Sequence, residues 1–144
     1  MLIDLQAKPP ATRSWPIVFM LAIAVCATLI GCAAEVVRTS TRFAKVGAER
    51  GADIVLTESV TVVPVSGYTK TLKGGSTWRH VGDITEGTVF KVESDVFMVE
   101  GKHMHEAYCV LDRGYRLVGF YLPVENGFVA VIPAVPLPID HKRS

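Results

Sequence analysis

The chain has 144 residues, 49% of them apolar, and a formal net charge of +1. That length suits one ordinary domain, and so small a charge excludes a protein held to nucleic acid by bulk electrostatics. The apolar residues are unevenly spread. Trp15 to Gly31 reads WPIVFMLAIAVCATLIG, 17 residues without a charge, and Lys8 and Arg13 outweigh Asp4 ahead of it. A basic start, an apolar run and small residues at its end make a secretory signal over 1–31, which is removed and takes no part in the fold. Two plainer readings compete. Extended to Ala34 the run has 20 residues, near the length of a membrane span. Cys32 could also be incidental, because Cys26 already sits inside the run as a small hydrophobe.

From Cys32 onward the chain carries 13 basic residues, the total of 15 less Lys8 and Arg13, and 13 acidic ones, the total of 14 less Asp4. Residues 33–52, AAEVVRTSTRFAKVGAERGA, have no sustained apolar stripe. With Cys32 they are expected to form a tether. A short helix around Phe43 to Arg50 is weakened by Gly47 and Gly51. As a flexible coil such a tether has a mean reach of roughly 25 Å.

Residues 53–144 carry the folded domain, and their local signals are β. DIVLTESVTVVPV is rich in β-branched residues, and WRHVGDI runs into a turn at Thr85-Glu86-Gly87. TVFKV and VFMV follow, then a turn at Glu100-Gly101-Lys102, HMHEAYCVL, a turn at Asp112-Arg113-Gly114, YRLVGFYL and GFVAVI. Short strands punctuated by glycine turns predict an all-β fold, a small barrel or a compact β-sandwich. Alternation from His105 to Leu111 puts Ala107, Cys109 and Leu111 on the core face. Pro64 belongs at a strand edge or bend, since it cannot donate to a ladder. IPAVPLPI, with Pro133, Pro136 and Pro138, is expected to be an extended strap packed back onto the domain, and DHKRS a solvated end.

Two resemblances sharpen this. Leu29-Ile30-Gly31-Cys32 at the end of the apolar run resembles the lipobox of bacterial lipoproteins. In that family the thiol of the cysteine, here Cys32, receives a diacylglyceryl group, the chain is cut just before it, and the new amino terminus is acylated, commonly with palmitate. Several acyl chains anchor stably where one does not, at about 0.8 kcal/mol per buried CH₂. Ala33, where an aspartate would favour inner-membrane retention, implies the outer membrane, facing the periplasm. With Cys32 acylated and Cys26 discarded, Cys109 has no partner and is expected to be a buried small apolar residue.

Farther along, Val81-Gly82-Asp83-Ile84 and Gly87-Thr88-Val89-Phe90-Lys91-Val92, then Tyr108, Gly114 and Gly119-Phe120-Tyr121, resemble the bacterial SH3-like barrel. About 45 residues carry this likeness. The opening N-V-R-x-G-P run of that family is absent, and VFMVEGKHM lengthens the middle.

Three side-chain constellations bear on chemistry. His103 and His105 on a strand would share a face about 7 Å apart and could chelate zinc or copper with a further ligand such as Met104 or His80. The alternative is two exposed histidines on a hairpin. Gly67 to Trp78, GYTKTLKGGSTW, is the better candidate for recognition, because Lys70, Lys73 and Arg79 put positive charge beside Tyr68 and Trp78. For Trp78 itself the plainer reading is a place in the core. The sequence has neither a nucleophile elbow nor an HExxH motif, and no enzyme activity or resident cofactor is expected.

The expected protein is therefore a lipid-anchored periplasmic protein with a non-catalytic binding role. Its partner class is cell-wall peptide, if the SH3-like resemblance holds, or an envelope protein. Two other roles fit the same features: an inhibitor, immunity or exclusion lipoprotein that blocks a toxin or secretion component, and a metal-handling lipoprotein built on His103 and His105.

Overall fold

The computed structural model describes residues 36–47 and 51–142. Cys32 and the apolar run before it lie outside the described residues. Among those described, no helix is long and apolar enough to cross a membrane. The secondary structure of the described residues is all β. The strands are β1 (Thr39–Ser40), β2 (Ala44–Lys45), β3 (Ile54–Leu56), β4 (Val60–Val62), β5 (Lys70–Leu72), β6 (Thr77–Ile84) and β7 (Gly87–Val92). There follow β8 (Met98–Glu100), β9 (Met104–Glu106), β10 (Tyr108–Leu111), β11 (Arg116–Leu122), β12 (Gly127–Pro136) and β13 (Ile139–His141).

One large sheet has the order β1-β12-β11-β10-β7-β6-β3-β13, with β2 also against β6, and β4–β5 and β8–β9 form separate hairpins. Each pairing is antiparallel. The ladder ends at β1 on one margin and β13 on the other, so it does not close. Of the two expected architectures, the structure is an open, curled β-sandwich and not a closed barrel. The curl follows from the chain itself. Only Leu137 and Pro138 separate β12 from β13, although these strands lie toward opposite margins. Two such residues bring the margins to within about 10 Å.

Proline explains why this strap stays outside the ladder in places. Gly119 pairs with Ala130 and Leu117 with Val135, so residues 131–134 form a bulge opposite Val118, with Val131 turned into the first core. Pro133, in a cis peptide with Ile132, has no N–H to give there. The chain end is exposed from Asp140 to Lys142, as its charge suggests, while the backbone of Asp140 and His141 pairs with Val55 and Ile54.

Strand alternation sends side chains to both faces of the sheet, and both faces are apolar. The first core contains Ile54, Leu56, Trp78, Phe90, Cys109, Leu111, Phe120 and Leu122. The hairpins add Val62, Leu72 and Val99 to it, forming the second layer of the sandwich. Ala107, Cys109 and Leu111 are buried, as the alternation predicts. Val110 on the opposite face is buried too, in a second cluster with Ile84, Val89, Tyr121 and Phe128.

Residues 36–47 cover that second cluster, and in this they are not the free tether that composition suggests. Thr39 and Ser40 pair with Phe128 and Gly127, and Ala44 and Lys45 with Asp83 and Gly82. Between them Phe43 stacks on Tyr121, ring centroids 5.0 Å apart and planes 9° apart. Gly82 makes this approach possible: a Cβ there would lie 2.4 Å from Phe43 Cζ and 2.5 Å from the carbonyl oxygen of Ala44. Burial of Tyr121 in this cluster, followed by the nearby Tyr108 phenol, raises its own phenol above the ordinary value.

Candidate functional site

The segment from Gly67 to Trp78 forms one wall of the site. Gly67, at φ +84°, closes the turn before β5, and its N–H donates to Pro64 O at 2.8 Å. Within the hairpin the Thr61 and Thr71 hydroxyls pair across the strands at 3.0 Å. Gly74 and Gly75 then fold the chain back tightly. Gly75, at φ +79°, donates to Leu56 O at 2.6 Å, and a Cβ on Gly74 would sit 2.9 Å from backbone atoms of Glu58 and Ser59. The tight turn is thus a packing device.

The opposite wall is Ser94 to Met98, a stretch held open at its start by Asp95, whose Oδ1 accepts from the Val96 N–H at 2.8 Å. Between the walls lies an open groove of about 530 Å³. Its floor includes Trp78, Val92 and Phe97, and its lips include Thr71, Ser76 and Ser94. Phe97 meets Trp78 edge-on at 5.7 Å and stacks on Phe120 at 5.3 Å, so the floor is continuous with the first core. One end is tied by Lys70 Nζ to Glu100 Oε1 at 2.8 Å, and the other is bordered by Lys73 and Asp95 at 4.0 Å. Neither β5 nor β8 makes a backbone bond to a strand beyond its own hairpin partner among the described residues. The open edge of β5 therefore runs along one side of the groove, and the other side meets β8 only at Met98.

The structure divides the sequence-predicted binding residues. Lys70, Lys73 and Trp78 line the groove, and Tyr68 is half-buried in the loop beside it. Trp78 is only 2% exposed, and its Nε1–H donates to Ser76 Oγ at 2.8 Å, so it acts as floor and core together. Arg79, its neighbour on β6, ion-pairs with Glu93 and does not line the groove. The expected block of positive charge is not assembled, because Lys70, Lys73 and Arg79 each face a carboxylate.

Neither a protein-family model nor a curated protein nor a solved structure matches this chain. What the groove does is therefore argued from its own chemistry. It has an apolar floor, hydroxyl and backbone donors along both lips, and balanced charges at its ends. Those features suit an extended segment with apolar side chains, whose backbone finds partners at the open edge of β5.

The histidine pair does not form a shared face. β9 begins at Met104, which leaves His103 exposed in the turn, while His105 is half-buried and bonds through Nδ1 to Glu125. Both ring nitrogens of His80 are also engaged, Nδ1 accepting from the Gly51 N–H at 3.1 Å and Nε2 lying 3.2 Å from Gly82 O. Among the described residues no group of three His, Cys, Asp or Glu side chains is placed to hold a metal ion. Cys109 is buried and unpaired, and desolvation raises its thiol well above the ordinary value.

Val96, Phe97 and Met98 are the groove residues that sequence reasoning misses. VFMV reads only as a strand, and β8 in fact starts at Met98, leaving Val96 and Phe97 in the wall before it. The pairing of Lys70 with Glu100 joins residues thirty positions apart, beyond the reach of any local pattern.

Proposed function

We propose that this chain is an envelope lipoprotein, acylated at Cys32 and held at the outer membrane facing the periplasm, which binds an extended segment of another envelope protein without catalysis. The observation that carries the binding role is the groove between β5 and residues 94–98, with its aromatic floor and the open edge of β5. A peptide strand laid there gains backbone hydrogen bonds along its length, and the floor selects apolar side chains at alternate positions. Balanced charge at the groove ends favours a neutral or zwitterionic segment over an acidic one.

Two experiments test this. Metabolic labelling with palmitate should mark the wild-type chain and not Cys32→Ala. A photo-crosslinker at Val96, in cells, should give a discrete protein adduct that Phe97→Asp removes in a chain that still folds. An adduct unaffected by Phe97→Asp would place the contact outside the groove. Salt-resistant sedimentation with purified sacculi, without a protein adduct, would make cell-wall peptide the occupant instead.

A further inference from the structure

We infer that the body of the protein lies directly against the lipid surface, through the end that carries Val37, Met104 and Val124. This rests on acylation at Cys32 as proposed above. The described chain starts at Val36, which is 3% exposed and belongs to the first core. It packs on the β8–β9 turn so closely that a Cβ on Gly101 would lie 2.1 Å from Val36 Cγ2. Four residue steps separate Val36 from Cys32. Whatever their conformation, four steps span at most about 14 Å, about twice the headgroup layer of a leaflet. A docked Val36 removes the slack that a twenty-residue coil would give, so the rim around it faces the bilayer.

That rim has the surface chemistry of an interfacial contact. Val37 is 69% exposed, Met104 56% and Val124 79%. They surround the point where the chain emerges. Met104 is paired with Glu100, next to the Gly101 on which Val36 packs. Val124 adjoins Glu125, and the bond from Glu125 to His105 ties the β11–β12 turn to β9 beside Met104. Arg38 reaches the same turn, its Cδ 2.8 Å from where a Gly127 Cβ would be. Lys102 and His103 are exposed at the hairpin tip. Protruding apolar side chains beside basic ones insert at the headgroup boundary and meet anionic lipid.

The test uses the mature lipoprotein in vesicles of phosphatidylethanolamine and phosphatidylglycerol. Val37→Cys, Met104→Cys, Val124→Cys and Arg113→Cys are each labelled with a polarity-sensitive fluorophore, and only chains with wild-type thermal unfolding are used. Arg113 sits in the β10–β11 turn, at the far end of the strand that leads away from His105. Cys109 is buried and stays unlabelled. The expected result is a blue-shifted probe at 37, 104 and 124, quenched several-fold more by nitroxide lipid than the probe at 113. Equal quenching at all four positions, in a chain that floats with the vesicles and carries its acyl mass, overturns the docking and leaves the anchor standing. A chain whose mass lacks acyl groups overturns both.

Discussion

Truncation of Phe43 is the most direct test of whether residues 36–47 belong to the fold. The ring is half-buried, stacks on Tyr121 at 5.0 Å and fills the space over Gly82. Removing a fully buried phenylalanine side chain costs about 3–5 kcal/mol. Half-burial brings that to about 2, and loss of the ring pair adds roughly 0.5–1.5. Phe43→Ala should therefore destabilise by about 2.5–3.5 kcal/mol, against about 0.5 or less for a substitution in a free tether. Urea unfolding of residues 33–144 measures this through Trp78, the one tryptophan left once Trp15 is absent. Trypsin supplies a second readout, because Arg42 and Lys45 flank Phe43 and are cut only when the segment lifts off. If the segment detaches before the rest unfolds, the midpoint is unchanged and cleavage accelerates. A variant with wild-type midpoint and wild-type cleavage would refute the docking of this segment.

Gly82→Ala should lift the same segment from the other side, since its Cβ would meet Phe43 and the Ala44 carbonyl oxygen inside 2.6 Å; accelerated trypsin cleavage at Lys45 checks it. Trp78→Ala, in the first core, should cost about 3–5 kcal/mol, whereas Trp78→Phe should keep the fold and lose chiefly the bond to Ser76, both read by thermal unfolding. Burial raises the Cys109 thiol, so little thiolate forms at mildly alkaline pH; a thiol reagent at pH 8 should label it only after denaturation. Asp112 is lowered by the backbone N–H of Arg116 first, then by the Arg116 side chain and the Gly114 N–H. A depressed carboxyl contributes stability above its unfolded value, near 3.8, and loses it as pH falls through the lower folded value. Asp112→Asn should accordingly flatten the fall of the melting temperature below pH 4.

Much of the fold was legible because strands announce themselves locally. The turns at Thr85-Glu86, Gly101-Lys102 and Asp112-Arg113-Gly114 stand where glycine and polar residues interrupt β-branched runs, and β6, β7, β10 and β11 follow from them. The alternation of Ala107, Cys109 and Leu111 correctly gives a core face. It does not show that Val110 has a core of its own, because that cluster gathers residues from distant strands and is covered in part by Phe43, from a segment whose polar composition hides it. Gly82 and Gly119 were legible as part of a pattern, but the reason for them was not. A Cβ on Gly119 would lie 2.4 Å from Val129 O, so both positions exist for close backbone approach. Of the candidate site, the wall at 67–78 was visible from its lysines and aromatics. Its opposing wall and the carboxylates that neutralise its lysines were not, since they arise from pairings between distant residues.

The groove and the proposed lipid-facing rim are not independent of one another. Lys70, at the start of β5, binds Glu100, and Glu100 is followed by the Gly101 against which Val36 packs. Two contacts joined by one peptide step thus lead from the groove through the β8–β9 hairpin to Val36, beyond which the proposed anchor lies. Lys70→Met keeps the aliphatic stem and removes the ion pair, leaving Glu100 half-exposed and able to stay hydrated, so the fold should survive with a loss of about 1 kcal/mol or less. If the hairpin positions the groove relative to the membrane, this variant should weaken the crosslink from Val96 while palmitate labelling stays unchanged. Crosslinking at wild-type efficiency would show that the groove works without its tie to the hairpin, and that the partner meets it at any height above the membrane.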